Sequence, residues 1–169
     1  TVIVVNWNGK EFLDRCLSAL MVQTLRPHEV IVVDNASRDG SPEIVRRYPA
    51  VRLLCQERNS GFAHANNLGI AMAAPDSEWI ALLNPDAFAA PDWLEKLQIA
   101  TLMNPEYDVF GSRLVDAQDP TLLDGAGDEY HMSGLVWRRG HGVQVPSDTE
   151  LPCEIFSPCA AAALYRRSA

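Results

Sequence analysis

Val2-Ile3-Val4-Val5-Asn6 opens the chain with an unbroken run of β-branched apolar residues closed by an amide. With no polar residue alternating, the run predicts a strand buried on both faces, the pattern of a parallel sheet covered on each side by helices. Lys10 to Gln23 follows with Phe12, Leu13, Cys16, Leu17 and Leu20 at helical spacing and predicts a helix. After Pro27, Glu29 to Val33 predicts a second buried strand that stops at Asp34. Ser41-Pro42-Glu43 then offers an N-cap, an N1 proline and an acidic first turn for a short helix. Val51 to Gln56 predicts a third strand, and the alanine-rich stretch from Phe62 to Ala73 favours helix. Glu78 to Leu83 returns to strand and stops at Asn84-Pro85-Asp86, and Pro91-Asp92 opens a helix running to about Met103.

Strands alternating with helices in this way predict an α/β fold with a mainly parallel central sheet flanked by helices, because parallel neighbours need crossover connections. In such sheets ligands bind beyond the carboxyl ends of the strands. Those ends carry Asn6, Asp34 and Asp86, so polar groups gather where a ligand would sit. Beyond Asp108 the pattern changes. Val109 to Val115 reads as one further strand, whereas Asp116 to Glu150 is rich in Gly, Asp, Pro and His and reads as irregular. Cys153 to Tyr165 is apolar again and runs into Arg166-Arg167.

A chain of 169 residues, 47% hydrophobic and 21% charged, has the balance of one domain with a substantial core. Its longest apolar runs are strand-sized, so no membrane span is expected. Thr1 leads directly into a strand with no basic leader before it, so the expectation is no signal peptide and a chain trimmed from a longer one. The net charge of -8 has the wrong sign for neutralising a nucleic-acid backbone, which excludes nucleic acid as the expected partner. It leaves room for a polyphosphate bridged to carboxylates by a divalent cation. Cys16, Cys55, Cys153 and Cys159 form no CxxC pair, so reduced thiols and a cytoplasmic setting are expected.

Three segments carry candidate chemistry. Asn84-Pro85-Asp86 places an amide and a carboxylate just past a buried strand, with proline fixing the backbone between them. One carboxylate plus a diphosphate and waters can complete the oxygen coordination of Mg²⁺ or Mn²⁺; a proline turn with Asp86 capping a backbone N–H is the competing reading. Asp34, in Val33-Asp34-Asn35-Ala36-Ser37, can accept from a ribose hydroxyl or a base N–H, or simply close a turn. Arg58 to Asn67 runs from a strand end into a helix. Gly61 there permits close backbone approach and the helix N–H groups are available to phosphate, although Asn66 and Asn67 can equally bond locally.

In their order these segments, with Val2-Ile3-Val4-Val5-Asn6-Trp7-Asn8 at the front, resemble the family-two inverting glycosyltransferases of the GT-A fold. Val32 to Ser37 is similar to that family's nucleotide motif on the second strand, Asn59-Ser60-Gly61-Phe62-Ala63 to its next loop, and Asn84-Pro85-Asp86 to its Asp-x-Asp metal motif. Together with Leu123-Asp124-Gly125-Ala126-Gly127 and Ala160 to Arg167, the Asn-Pro-Asp form is similar to the rhamnosyltransferase-like branch. The resemblance covers the whole chain. It implies one GT-A-like domain, with residues 1–108 as the nucleotide-sugar-binding half and 109–169 as an incomplete acceptor-side half. It also implies transfer of a sugar, with inversion, from a dTDP- or UDP-sugar donor to an acceptor hydroxyl on a carbohydrate or lipid-linked glycan. Cell-surface polysaccharide synthesis follows as the setting, with the full-length protein at the inner face of the membrane.

The residues implied around the nucleotide are Val5, Asn6, Asp34, Asn35, Gly61, Asn66, Asn84 and Pro85, with Asp86 on a divalent cation, Mg²⁺ or Mn²⁺. Asn84 stands where the motif has its first aspartate, so a supporting or uncharged-ligand role is implied for it. The family's general base lies in a Gly-Gly-Phe-Asp-Glu-like segment after the arginines, and the expectation is that it falls beyond Ala169. Asp124 is the acidic candidate on the acceptor side, with a glycine-rich turn as its other reading. His131, His141 and Trp137 are candidates for acceptor contact, against exposed-loop and packing roles. A nucleotidylyltransferase would carry a glycine- and arginine-rich loop after the first strand, which Asn6-Trp7-Asn8-Gly9-Lys10 is not. A sugar-nucleotide-binding module without turnover is the non-enzymatic alternative.

Overall fold

In the computed structural model, which describes residues 1–145 and 152–168, the apolar runs form the strands they predict. In chain order the elements are β1 (Val2–Asn6), α1 (Lys10–Met21), β2 (Val30–Asp34), α2 (Ser41–Val45), β3 (Val51–Cys55), α3 (Phe62–Met72), β4 (Trp79–Leu83) and α4 (Trp93–Met103). Then come β5 (Val109–Gly111), β6 (Leu114–Val115), β7 (Leu123–Gly125), β8 (Asp128–Tyr130), β9 (Val136–Arg138) and β10 (Ala162–Arg166). The main sheet runs in the order β3-β2-β1-β4-β10-β5. β1, β2, β3 and β4 are parallel, while β10 is antiparallel to both its neighbours.

Successive strand residues point to opposite faces, and each face has its own core. Val2, Val4, Val30 and Val32 pack with Leu13, Leu17 and Leu20 of α1 and with Leu94 and Leu97 of α4. Ile3, Val5, Ile31 and Val33 pack on the other side with Ala65 of α3. Full burial of each α1 leucine contributes about 2 kcal/mol, which outweighs the weak intrinsic preference of a short helix. α3 lies close because Gly69 leaves room. A Cβ there would stand 2.7 Å from Ile3 Cγ2 and 3.3 Å from Val33 Cγ2. Gly69→Ala should therefore lower stability by roughly 1–3 kcal/mol despite alanine's better helix propensity, read as a drop in thermal midpoint.

Several expectations need correction. The N-cap of α2 is Gly40 at φ 87, not Ser41, which is already helical. Ser41 instead gives its amide and hydroxyl to Asp39. Val109 to Val115 is two strands rather than one: β5 joins the main sheet and β6 leaves it to pair with β7. The stretch from Asp116 is more ordered than its composition suggests, since β6–β7 and β8–β9 are antiparallel pairs. Residues 146–150 of that stretch, and Ala169, lie outside the described residues. β10 sits between β4 and β5, so residues 162–166 complete the sheet that the first half begins. No helix among the described residues is long and apolar enough to cross a membrane.

Candidate functional site

Strand order reverses at β1. The chain steps outward through β2 and β3, then returns to place β4 on the other side of β1. Ligands bind beyond the carboxyl ends of the strands at such a reversal, and here the loop after Asn6 and the turn at Asn84 meet at that place. Gly9 brings the two together. A Cβ on Gly9 would lie 2.4 Å from Asn6 Oδ1 and 3.5 Å from Pro85 Cβ, so no side chain fits between β1's loop and the proline.

The loops after β1 and β2 are locked by a buried polar network. Asn6, fully buried, donates through Nδ2 to Asp34 Oδ1 at 2.9 Å and to Ser37 Oγ at 3.1 Å. Asp34 Oδ2 accepts the Ser37 amide at 3.0 Å. Asn8, at φ 52, donates its amide to Ser37 Oγ and accepts the Arg38 amide. Ala36 is also in the left-handed region, at φ 64. Non-glycine residues persist there only when their surroundings hold them, and strain of this kind gathers at functional sites.

Asn35 carries the network to the next loop. Its Oδ1 accepts from Gln56 Nε2 at 3.1 Å and from the Ser60 amide at 2.9 Å, and its Nδ2 donates to Asn59 Oδ1 at 2.8 Å. Asn59 Oδ1 also accepts the Gly61 amide, fixing the entry to α3 where Gly61 adopts φ 88. A cleft of about 620 Å³ opens beside this clamp, lined by residues from Gln56 to Ser60 and by His64.

The Asn84 turn is held from beneath. The Asn84 carbonyl accepts the Ala87 amide at 3.1 Å and the Cys16 thiol at 3.7 Å, and its amide donates to Ala161. Gln23, nearly buried, donates to the Ala90 carbonyl and accepts the Leu94 amide, tying the segment after the turn to α1. Burial, with the nearby Asp86 charge adding to it, pushes the Cys16 thiol up to about 12. The folded chain should therefore be alkylated by iodoacetamide at about pH 8 on exposed Cys153 and not on Cys16, which should label only on unfolding, as peptide mapping would show.

Two side-chain oxygens in this region are buried without a hydrogen-bond partner, Asn6 Oδ1 and Asn84 Oδ1. Asp86 is exposed and makes no hydrogen bond or ion pair among the described residues. An orphaned amide oxygen two residues from an unengaged carboxylate is an all-oxygen donor set of the kind a hard divalent cation takes, so the residues present fit such an ion. Among the described residues no group of three His, Cys, Asp or Glu side chains gathers as a cage. Most ligands would then come from a bound phosphate and water, the usual manner for Mg²⁺.

The sequence-derived site residues separate into two sets. Asn6, Asn84, Pro85 and Asp86 lie around the β1–β4 crevice, and Gly61 lies in the β3–α3 loop. Val5 packs into the core below it. Asp34 and Asn35, each only 2% exposed, and Asn66, 5% exposed, are buried at the loop bases. Asn66 donates to the Phe62 carbonyl one helical turn back. Within the chain their polar groups order the loops. Asp124 is gripped by Arg138 Nη1 at 2.8 and 2.7 Å, and His141 approaches it at 3.6 Å. Trp7, 59% exposed on the crevice loop, was absent from the expected site residues, although its place directly after Asn6 could have flagged it.

A parallel sheet with polar groups at the reversal of strand order and an antiparallel strand inserted after β4 has the layout of a GT-A glycosyltransferase. The chain belongs to glycosyl transferase family 2, which matches residues 1–169. It is 34% identical over 157 residues to the N-acetylglucosaminyl-diphospho-decaprenol L-rhamnosyltransferase of Mycobacterium tuberculosis, across 82% of this chain and 50% of that protein. It is 34% identical over 128 residues to the succinoglycan biosynthesis protein ExoO of Rhizobium meliloti, across 74% of this chain and 34% of that protein. The chain thus spans half, or less, of the length of these relatives. Among solved structures, a mannosyltransferase from Pyrobaculum calidifontis, in complex with GDP-Man and Mn²⁺, matches with a TM-score of 0.59 at 30% identity, over 70% of this chain and 36% of that one. Staphylococcus aureus TarS 1-349 matches with a TM-score of 0.64 at 22% identity over 99% of this chain and 46% of that one, a likeness of fold alone.

Proposed function

We propose that this chain binds a nucleotide-diphosphate sugar through a divalent cation at the β1–β4 crevice and serves inverting transfer of the sugar to an acceptor hydroxyl. The observation that carries the reading is an Asp86 carboxylate without a hydrogen bond or ion pair among the described residues, two residues along the turn from Asn84, whose Oδ1 is buried without a partner, on a turn braced from below by Cys16. Asp86 would hold the ion directly, with Asn84 Oδ1 as its uncharged companion, and the chemistry a bound Mg²⁺ or Mn²⁺ would supply there is neutralisation of the charge building on the departing diphosphate. Asp34 and Asn35 act as positioning residues, keeping the two loops at the spacing the nucleoside requires. Trp7 offers an aromatic face on the same crevice for stacking a base. The cleft from Gln56 to His64 supplies further amide, guanidinium and imidazole groups for the nucleotide.

The name of the mycobacterial relative supports rhamnose as the sugar and a lipid-linked glycan as the acceptor, and a dTDP- or UDP-sugar is the donor proposed with them. The succinoglycan biosynthesis protein supports polysaccharide synthesis as the setting, and a place at the inner face of the membrane belongs to the same proposal. In this division residues 1–108 carry the donor site and 109–169 begin the acceptor side. The pairing of Asp124 with Arg138 favours a second reading, a donor-binding module without its own base. Incubating the chain with radiolabelled nucleotide sugars and a polyprenyl-diphosphate-linked N-acetylglucosamine decides between them. Transfer, with an inverted anomeric coupling in the product by NMR, is expected for the first reading; metal-dependent binding without product selects the second. Neither binding nor transfer would contradict both.

A further inference from the structure

Residues 84–92, which carry Asp86, run between β4 and α4 and belong to neither. Backbone groups in such a stretch need partners from outside it, and α1 supplies several. Gly9, Cys16 and Gln23 are seven residues apart, about two helical turns, so they fall on one line along α1 and its ends. Each meets this stretch. A Cβ on Gly9 would lie 3.5 Å from Pro85 Cβ, the Cys16 thiol donates to the Asn84 carbonyl at 3.7 Å, and Gln23 Nε2 donates to the Ala90 carbonyl at 2.6 Å. The Arg15 guanidinium lies 3.8 Å from the centroid of the Phe88 ring. Just past α1, Thr24 gives its amide to the Pro91 carbonyl at 2.8 Å.

Of these contacts, that of Cys16 falls on the turn itself. The Asn84 carbonyl takes the Ala87 amide at 3.1 Å, closing a turn with Pro85 and Asp86 at its two central positions. The thiol fills that carbonyl's second lone pair, so its direction is fixed from within the turn and from α1 at once. Cys16 is fully buried in the cluster that holds Leu13, Leu17 and Leu20, where another leucine would pack, and a small donor there exchanges packing for direction. Rotating this peptide would swing Asn84, whose buried Oδ1 has no partner among the described residues, and Asp86 along with it.

We propose that Cys16 is a positioning residue for the cation site: its thiol holds the Asn84 carbonyl so that Asn84 Oδ1 and the Asp86 carboxylate converge. The inference rests on the metal-bridged reading of the crevice. The test is calorimetric titration with UDP, dTDP and GDP, each in Mn²⁺ and again in chelator. Cys16→Ala should bind about tenfold more weakly in Mn²⁺ and unchanged in chelator, because only the donors to the ion move. Cys16→Val, which fills the space but cannot donate, should lose as much. Cys16→Ser restores an O–H donor and should regain most of the loss. A substitution that only lowers stability would shift the thermal midpoint and leave the ratio of the two affinities alone. Alanine and valine variants with the wild-type ratio would overturn the proposal. So would equal losses in the alanine, valine and serine variants, which would assign the effect to packing. A wild type that binds none of the nucleotides, or binds equally with and without Mn²⁺, would sink the metal reading and this inference together. A metal-dependent wild type beside unaffected Cys16 variants sinks this inference alone.

Discussion

Asp86→Asn is expected to weaken metal-dependent sugar-nucleotide binding on the order of a hundredfold or more, with folding unchanged. Removing the charge leaves an oxygen in nearly the same place, so the loss isolates electrostatics from shape. Folding should be spared because Asp86 is exposed and engages no other side chain among the described residues. Asn84→Asp gives the opposite sign at the neighbouring position. A second carboxylate beside the ion should tighten Mn²⁺ binding, while in metal-free protein its charge is uncompensated and should lower the thermal midpoint. Calorimetric titration with and without Mn²⁺ checks both variants, and an Asp86→Asn protein that binds like the wild type would remove the metal assignment.

The largest stability effect is expected at Asp34. Truncation to alanine leaves the buried Asn6 amide short of one acceptor and strands the half-buried Ser37 N–H. Each unsatisfied group costs about 1–3 kcal/mol, so a loss of about 3 kcal/mol is expected, or roughly 6–12 °C in thermal midpoint for a chain of this size. Donor affinity should fall with it even at temperatures where the variant is folded, because Asp34 holds Asn6 and Ser37 on either side of the left-handed Asn8 and Ala36. Asp34→Asn retains one acceptor and should lie between the two. Differential scanning calorimetry beside nucleotide titration separates the effects, and a variant as stable as the wild type would show the network to be dispensable.

The strands and the parallel core were legible because burial on both faces demands unbroken apolar runs, as in Val2 to Val5 and Val30 to Val33. The ends of those strands were legible for the complementary reason, that Asn6, Asp34 and Asn84 interrupt the runs abruptly. Less legible was the direction in which each polar group turns. The internal partners of Asp34 and Asn35, namely Asn6, Ser37, Gln56, Asn59 and Ser60, are brought within reach only by the folded sheet. Cys16 read as one more core position of α1; its bond to the Asn84 carbonyl joins residues 68 apart in sequence and left no local trace. The hairpins beyond Asp116 were hidden by strands of two or three residues, too short for alternation to register. The Ser133-Gly134 turn between Tyr130 and Val136 was the one local sign of them.

The most direct measurement is calorimetric titration of the wild-type chain with UDP-, dTDP- and GDP-sugars, in Mn²⁺ and in chelator. The metal-bridged crevice predicts that at least one of these donors binds in Mn²⁺ and that its affinity drops by about tenfold or more when the ion is removed. Binding of equal strength in chelator, or no binding of any nucleotide sugar in Mn²⁺, would contradict it.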